Sequence, residues 1–208
     1  MKPKDLLIDR LQLYVVPTLE KYGFAFSKSS LSFKKRIEKI DQKIVFSLSK
    51  WNEEDHCTFW SSFGTQSSYY VLWHKKKWGM KPVNNALTGC ADWDVEGWSD
   101  SIPEKLLIQN TISDQEVMSL WLRTFESAGR GYLDRIADWE GAADQLLSER
   151  RFWTKASNFF LIADQEEKAW KALESGIYDI QENGRADNYQ ELPVMRERLK
   201  NELGQQGS

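Results

Sequence analysis

The sequence has few of the residue types that most often perform catalytic or metal chemistry. It contains two histidines and two cysteines, and neither cysteine belongs to a Cys-x-x-Cys pair or a Cys/His cluster with metal-ligand spacing. His56 and His74 lie outside known nucleophile motifs, and His56 and Cys57 are strand neighbours whose side chains point to opposite faces. The sequence therefore predicts a protein that is not an enzyme, with no cofactor and no metal. Cys57 and Cys90 are expected to be reduced thiols.

A positive net charge and a long apolar run are also missing. Twenty-eight basic side chains face 31 acidic ones, and the net charge of −3 provides no overall positive field to attract a phosphate backbone. No segment reaches about 18 uninterrupted apolar residues, and charged residues such as Asp5, Asp9 and Arg10 interrupt the first 23. These absences predict a cytoplasmic protein without a signal peptide, a membrane partner or a nucleic-acid partner.

What the sequence does contain is enough apolar material for a core. Hydrophobic residues make up 41% of the 208 residues and aromatic residues 13%, which is too apolar for a disordered chain. The length fits one domain, or one domain with an extension.

The first half of the sequence predicts a helix followed by an antiparallel sheet. Leucines near helical spacing predict an amphipathic helix from about Lys4 to Tyr22, interrupted near Pro17 and capped by Gly23. The period then changes to two, which indicates strands. The expected strands are Leu31–Phe33, Ile44–Ser49, Cys57–Phe63 and Tyr69–Trp73. Their short connections predict a meander, because parallel neighbours need a crossover of a dozen or more residues.

The second half predicts an irregular segment and then helices. Glycine, proline and asparagine interrupt any period between His74 and about Thr111, and a loop of this length is typically functional or partly structured. A capping-box pattern at Ser113–Glu116 predicts a helix that stops near Gly129. Further helices are expected at about 139–147, 152–163, 166–181 and 193–203, the middle two forming an antiparallel hairpin.

Taken together, these patterns predict an α+β fold with an N-terminal helix, a meander of about four strands and a C-terminal helical part. The expected division is an α+β domain over 1–138, a helical extension over 139–203 and a disordered tail over 204–208.

The densest group of functional residue types is the segment from Cys90 to Asp100. Four carboxylates and two indoles share it: Asp92, Trp93, Asp94, Glu96, Trp98 and Asp100. One interpretation is a partner-binding surface, because acids attract a basic protein and tryptophan anchors interfaces. A second is a site for a hard cation, although the spacing does not match a twelve-residue calcium loop. A third is that the indoles are core anchors and the acids merely face water.

A short basic run also has two interpretations. The run from His74 to Trp78 contains three lysines between aromatic residues, a combination that can stack on single-stranded bases. Lysines at the end of an exposed strand are more often a protection against edge pairing, and that interpretation is favoured here.

The order of elements resembles a bacterial family catalogued as a domain of unknown function, related members of which occur among immunity proteins of polymorphic toxin systems. The residues that carry the likeness span roughly the first two thirds of the chain: Tyr22-Gly23-Phe24, Phe33, Val45–Trp51, Phe59–Gly64, Cys90, Trp98 and Gly131-Tyr132-Leu133-Asp134. The resemblance implies an α+β fold and supplies no catalytic residues.

Three functional hypotheses follow. The leading one is a non-enzymatic immunity protein that neutralises a toxin encoded by a neighbouring gene by binding it directly through the acidic segment. The second is an adaptor that holds a peptide, or a second copy, with the helical hairpin between Phe152 and Gln181. The third is a metal-dependent hydrolase that uses Asp92, Asp94, Glu96 and Asp100. The oligomeric state stays open.

Overall fold

The computed structural model of the chain describes residues 1–100, 102–183 and 192–205, and its fold is α+β as the sequence predicts, with 53% helix and 20% strand. The chain divides into two compact units, Met1–Ala137 and Asp138–Ser208. The first unit contains helices α1 (Pro3–Arg10), α2 (Val16–Lys21), α3 (Ser68–Trp78), α4 (Asp114–Thr124) and α5 (Arg130–Arg135), and strands β1 (Ala25–Ser27), β2 (Ser32–Ile37), β3 (Ile40–Leu48), β4 (Cys57–Gln66), β5 (Ala86–Ala91) and β6 (Leu106–Ile108). The second contains α6 (Trp139–Ser148), α7 (Trp153–Ile162), α8 (Glu166–Asn183) and α9 (Leu192–Gln205).

The predicted N-terminal helix is present, with a wider turn in its middle. A π-helical turn, Leu11–Val15, joins α1 to α2 just before Pro17. Proline has no N–H to donate to the preceding turn, and its ring needs room there, so a local widening lets the helix continue through it. Gly23 follows the helix with φ +84°, the left-handed conformation expected of a glycine at this end.

The sheet is antiparallel throughout, with strand order β1-β2-β3-β4-β5, and β6 also pairs with β4. The pairs Phe33 with Ile44 and Ile44 with Phe63 fix the register. Because side chains alternate along a strand, this register places one row of apolar residues on a single face of the sheet.

The fourth predicted strand, Tyr69–Trp73, is wrong, because these residues belong to helix α3. The Ser67 side chain caps the helix by accepting a hydrogen bond from the Tyr70 N–H at 3.3 Å, and Gly79 ends it with φ +74°. Tyr70 and His74, four residues apart, are its buried residues. The serine and the glycine were therefore the stronger signals, and the alternating aromatic pattern between them was misleading.

The segment expected to be irregular, from His74 to about Thr111, includes the end of α3 and two strands among its described residues. Strand β5 pairs with β4, with Gly64 opposite Gly89, and β6 pairs with the start of β4. The two glycines allow the strands to approach closely, because a Cβ on Gly89 would lie 2.5 Å from the Phe63 carbonyl oxygen. A strand this poor in large side chains has little periodicity to detect.

The core of the first unit lies between one face of the sheet and the helices. Buried side chains from the strands meet buried side chains from the helices in one cluster. Its main members are Leu6, Leu7, Leu11, Val15 and Leu19 from the N-terminal helical region, Phe33, Ile44, Phe46, Phe59 and Phe63 from the sheet, and Met118, Trp121, Phe125, Tyr132, Leu133 and Ile136 from the stretch that contains α4 and α5. The opposite face of the sheet does not contribute to this core.

The second unit is helical, as predicted, and contains the expected antiparallel hairpin of α7 and α8. Trp153, Leu173 and Ile180 form its core with Met195 from α9. Helix α9 extends to Gln205, two residues into the predicted disordered tail, and residues 206–208 lie outside the described part of the chain. None of the helices in the described ranges combines the length and apolar composition that a membrane crossing requires.

Candidate functional site

The acidic segment begins where β5 ends. A 3-10 turn, Asp92–Asp94, leads away from the sheet, and Gly97 turns the chain again with φ +80°. The structure separates the six predicted partner-binding residues into two groups, one buried and one accessible.

Asp92 belongs to the buried group and is 3% exposed. Its Oδ2 accepts hydrogen bonds from the Ser61 N–H at 2.7 Å and the Ser61 hydroxyl at 2.6 Å, and its Oδ1 accepts one from the Trp93 N–H at 2.9 Å. The Ser61 oxygen in turn accepts from Trp121 Nε1 at 3.0 Å. Asp92 therefore fastens the acidic segment to the sheet, and its assignment to a partner-binding surface is wrong because no partner can reach it.

Trp98 is buried as well, with 1% of its surface exposed. Its ring centroid lies 5.2 Å from that of Phe63 and 6.2 Å from that of Trp121, both in the core of the first unit. Gly129 makes room for it, because a Cβ there would lie 3.2 Å from the Trp98 ring. Trp98 is thus a core anchor, and its prediction as an exposed partner-binding residue is wrong. Burying so large an apolar side chain is strongly favourable, so the fold places the ring in the core although the residue belongs to a loop.

The other four residues reach solvent. Asp94, Glu96 and Asp100 are exposed, and Trp93 is half-buried. The Trp93 ring lies 6.4 Å from the ring of Trp60, centroid to centroid. We call Trp60, Trp93, Asp94, Glu96 and Asp100 the indole surface.

Sequence reasoning missed Trp60, although the strand pattern contained the signal. Trp60 stands between Phe59 and Ser61, which face the core, so alternation places its side chain on the opposite face of the sheet. There it is opposite Ser47 in the register, and the ammonium group of Lys105 lies 5.8 Å from its ring centroid. What the sequence could not supply was the pairing of β4 with β5, which brings Trp93 beside Trp60.

Trp60 has both short and long neighbours on this face of the sheet. Leu107, which is 44% exposed, pairs with Thr58, two residues before Trp60, and Lys105 lies over the ring. Ser62 on β4 pairs with Ala91 on β5, and Ser47 on β3 pairs with Trp60, so short side chains flank the rings. Both rings are partly exposed. The arrangement can bind an apolar group by its rings and attract positive charge by its three exposed carboxylates.

The described residues hold no group of three or more histidine, cysteine, aspartate or glutamate side chains placed to bind one metal ion. Both oxygens of Asp92 already accept hydrogen bonds from the protein. The four carboxylates proposed for a hydrolase are therefore not brought together as one ligand set.

Cys57 and His74 are both buried. The thiols are not joined in a disulfide, as the sequence predicts. Burial and the charge of Asp114 raise the pKa of Cys57 to about 12, so its reactive thiolate form is scarce at neutral pH. His74 lies 2.7 Å from the carbonyl oxygen of Met80, and because a carbonyl only accepts, Nδ1 of His74 carries the proton.

The basic run does not protect a strand edge. Lys75, Lys76 and Lys77 lie in the last turn of α3, where positive charge is favourable next to the helix carboxyl end. The interpretation as edge protection is wrong because the residues before the run form a helix.

The pKa of Asp92 is raised, because burial disfavours its charged form more than its hydrogen bonds favour it. This carboxyl group therefore stabilises the fold most at pH values below its unfolded pKa of about 3.9, and that contribution is lost as the pH rises through the higher folded pKa. We expect the free energy of unfolding of the native protein, relative to that of Asp92→Asn, to fall over this interval. Urea titrations of both proteins across the interval measure the difference.

Asp41 provides a control of opposite sign. Burial acts to raise its pKa, but hydrogen bonds from Lys34 and Arg36 lower it below the ordinary value. Relative to Asp41→Asn, the native protein should therefore gain stability as the pH rises through the lowered folded pKa towards the unfolded one. Parallel pH profiles for the two variants would contradict the assignment for Asp92.

Comparisons of the chain with protein-family models, with curated proteins and with solved structures give no match. The structure therefore defines the class of the protein: it is an α+β protein with an antiparallel sheet, one face of which carries Trp60 of the indole surface.

Proposed function

We propose that the protein acts without catalysis by binding another protein, in the manner of an immunity protein that blocks a toxin encoded by a neighbouring gene. The observation that carries the proposal is a pair of partly exposed indoles, Trp60 and Trp93, whose ring centroids lie 6.4 Å apart, together with three exposed carboxylates on the segment that contains Trp93. The proposal of an immunity role comes from the resemblance of the sequence to a family with members among immunity proteins.

The indoles provide the anchoring part of such an interface. Tryptophan is enriched among the few residues that dominate binding energy, because it buries a large rigid surface at a low entropic cost. Trp60 lies in the register of the sheet, and the backbone N–H of Trp93 donates to Asp92, so the backbone that holds both indoles is fixed before a partner arrives. Pre-positioning reduces the cost of ordering side chains on binding.

The carboxylates give the partner its expected charge. Asp94, Glu96 and Asp100 are exposed on the same segment as Trp93, and rim charges of one sign accelerate association with a partner of the opposite sign. The proposed partner therefore presents a basic surface around an apolar group.

The test is co-expression with the product of the adjacent gene, followed by purification of the complex. We expect Trp93→Ala and Trp60→Ala each to weaken binding by at least about 2 kcal/mol, roughly 30-fold, as hot-spot residues do. Replacing Asp94, Glu96 and Asp100 by the matching amides should mainly slow association and reduce its dependence on salt.

Trp51→Ala is the matched control, because this indole is 80% exposed but lies in the connection between β3 and β4, outside the indole surface. It should bind the partner as the native protein does. Equal affinities of the native protein, Trp60→Ala and Trp93→Ala would refute the proposed surface, and failure to protect cells from the adjacent gene product would refute the immunity role.

One feature favours the adaptor alternative. The second unit contains a pocket of about 550 Å³ lined by Leu147, Trp153 and Tyr178 among others, and Tyr178 is 66% exposed. A peptide bound there would depend on Tyr178 and not on Trp93. Binding that is lost in Tyr178→Ala and retained in Trp93→Ala would favour the adaptor.

A further inference from the structure

A second surface of the first unit has a charge opposite to that of the indole surface. No acidic residue occurs between Asp55 and Asp92, although the whole chain has a net charge of −3. That interval contains four lysines, Lys75, Lys76, Lys77 and Lys81, and all of them are exposed. We call residues 68–85, which comprise α3 and the loop after it, the basic arm.

The basic arm also exposes aliphatic side chains. Leu72 is 68% exposed, Met80 is 65% exposed and Val83 is fully exposed. Each belongs to the same segment as the lysines, so apolar and cationic groups are interleaved over a short stretch of chain. Isolated exposed apolar residues are ordinary on protein surfaces, but here three lie within twelve residues of one basic segment. We call these three residues and the four lysines the patch.

The geometry of α3 turns these groups outward. Tyr70 and His74 are on its buried side, and Leu72, Lys75 and Lys76 lie on the other side, three and four residues apart along the helix. The hydrogen bond from His74 to the Met80 carbonyl fixes the turn after the helix, so Met80 and Lys81 are held close to the end of α3. The patch is therefore presented by an ordered segment.

The composition of the basic arm distinguishes among anionic partners. Protein interfaces favour arginine and are depleted in lysine, because the guanidinium group pairs with carboxylates in fixed geometry. The basic arm has four lysines and no arginine. Nucleic-acid sites do not require exposed aliphatic side chains, whereas membrane-surface segments combine lysines with leucine and tryptophan that enter the headgroup region.

We propose that the basic arm docks on an anionic lipid bilayer surface, with Leu72, Met80 and Val83 entering the interface and the lysines facing the lipid headgroups. No spanning helix is needed for such contact. Repulsion between the bilayer and acidic side chains more than about 8 Å from it is screened at physiological ionic strength.

The experiment is co-sedimentation of the full chain with lipid vesicles at physiological salt. The probes are vesicles of phosphatidylcholine alone and vesicles of equal parts phosphatidylcholine and phosphatidylglycerol. We expect binding to the anionic vesicles only. The triple variant Lys75→Gln, Lys76→Gln and Lys77→Gln should lower the partition coefficient by about 100-fold, at about fivefold for each lysine near the surface.

The matched control removes three exposed lysines elsewhere, by Lys2→Gln, Lys21→Gln and Lys28→Gln. It has the same net charge as the first triple variant and should keep most of the binding. A second variant, Met80→Gln with Val83→Gln, should reduce binding while leaving its dependence on salt unchanged, since it removes only apolar contact.

Three outcomes would overturn the proposal. They are no sedimentation with anionic vesicles, an equal loss of binding in both triple lysine variants, and binding of a single-stranded oligonucleotide in place of vesicles. The last result would assign the basic arm to nucleic acid. None of these outcomes depends on the indole surface, so the experiment tests membrane docking independently of the proposed function.

Discussion

Replacement of Asp114 by alanine is expected to lower the free energy of unfolding of the Met1–Ala137 unit by about 3–5 kcal/mol, the cost of removing one partner of a buried ion pair. Asp114 is 1% exposed, and its Oδ2 lies 2.8 Å from Nε of Arg10. The same carboxylate accepts hydrogen bonds from the N–H groups of Gln109 at 2.9 Å and Thr111 at 3.3 Å. Alanine would leave a largely buried guanidinium and two backbone donors without this acceptor.

The location of the pair explains the size of the effect. Arg10 lies on α1 and Asp114 begins α4, and a second bond joins Arg10 to Asn110, which in turn donates to Asp55 before β4. Asp55 also pairs with the amino group of Met1. One network therefore connects the N-terminus, the entry to β4 and the loop after β6, and its loss should loosen all three.

Asp9→Ala is the matched control, because Asp9 also pairs with Arg10 but its side chain is 54% exposed. Exposed pairs typically contribute about 0–1 kcal/mol, so this variant should unfold nearly as the native protein does. Urea titration monitored by amide exchange in β3 and β4 reports on this unit specifically. A loss of less than about 1 kcal/mol in Asp114→Ala would show that Arg10 reaches water or Asp9 at little cost.

The sequence located this position but misjudged its role. The pattern from Ser113 to Glu116 predicts a capping box, and α4 does begin there, but Ser113 makes no capping hydrogen bond. Asp114 performs a different task, for which the signal lies about a hundred residues away in Arg10. Local patterns place helix ends well, and long-range ion pairs are outside what they can report.

The difference between local patterns and long-range contacts also explains which strands of the sheet could be predicted. Strands β2, β3 and β4 have large side chains at alternate positions and were predictable, whereas β5 has glycine and alanine at the outward positions and was not. Helix α3 was mistaken for a strand because tyrosine, valine and tryptophan favour strands intrinsically. Its Ser67 cap and Gly79 terminus overrode that preference.

In the acidic segment, composition identified the right region and could not sort its residues. Tryptophan suits both a core and an interface, and aspartate suits both a solvated loop and a buried hydrogen-bonded anchor. Which residues of the segment are buried depends on the residues that they pack against: Ser61 offers two donors to Asp92, and Gly129 leaves space for Trp98. Trp93, with Trp60 beside it, is the indole that the fold leaves accessible.

The two indoles of this segment should consequently give opposite results on substitution. Trp98→Ala is expected to lower the free energy of unfolding by about 3–5 kcal/mol, as large-to-small changes at buried aromatic positions do, because the removed ring leaves a cavity between Phe63 and Trp121. Trp93→Ala should lower it by only about 1 kcal/mol, because its ring is half-buried at the surface.

Urea unfolding of both variants, with amide exchange of β4 as the reporter, provides the measurement. Trp98→Phe, which keeps an aromatic ring in the cavity, should recover a substantial part of the loss. Binding of the protein partner provides the complementary measurement: Trp98→Ala should bind normally under conditions in which it is folded, and Trp93→Ala should not. If Trp98→Ala unfolded as the native protein does, the ring would not be part of the core, and the division of the segment into a buried anchor and an accessible indole would be wrong.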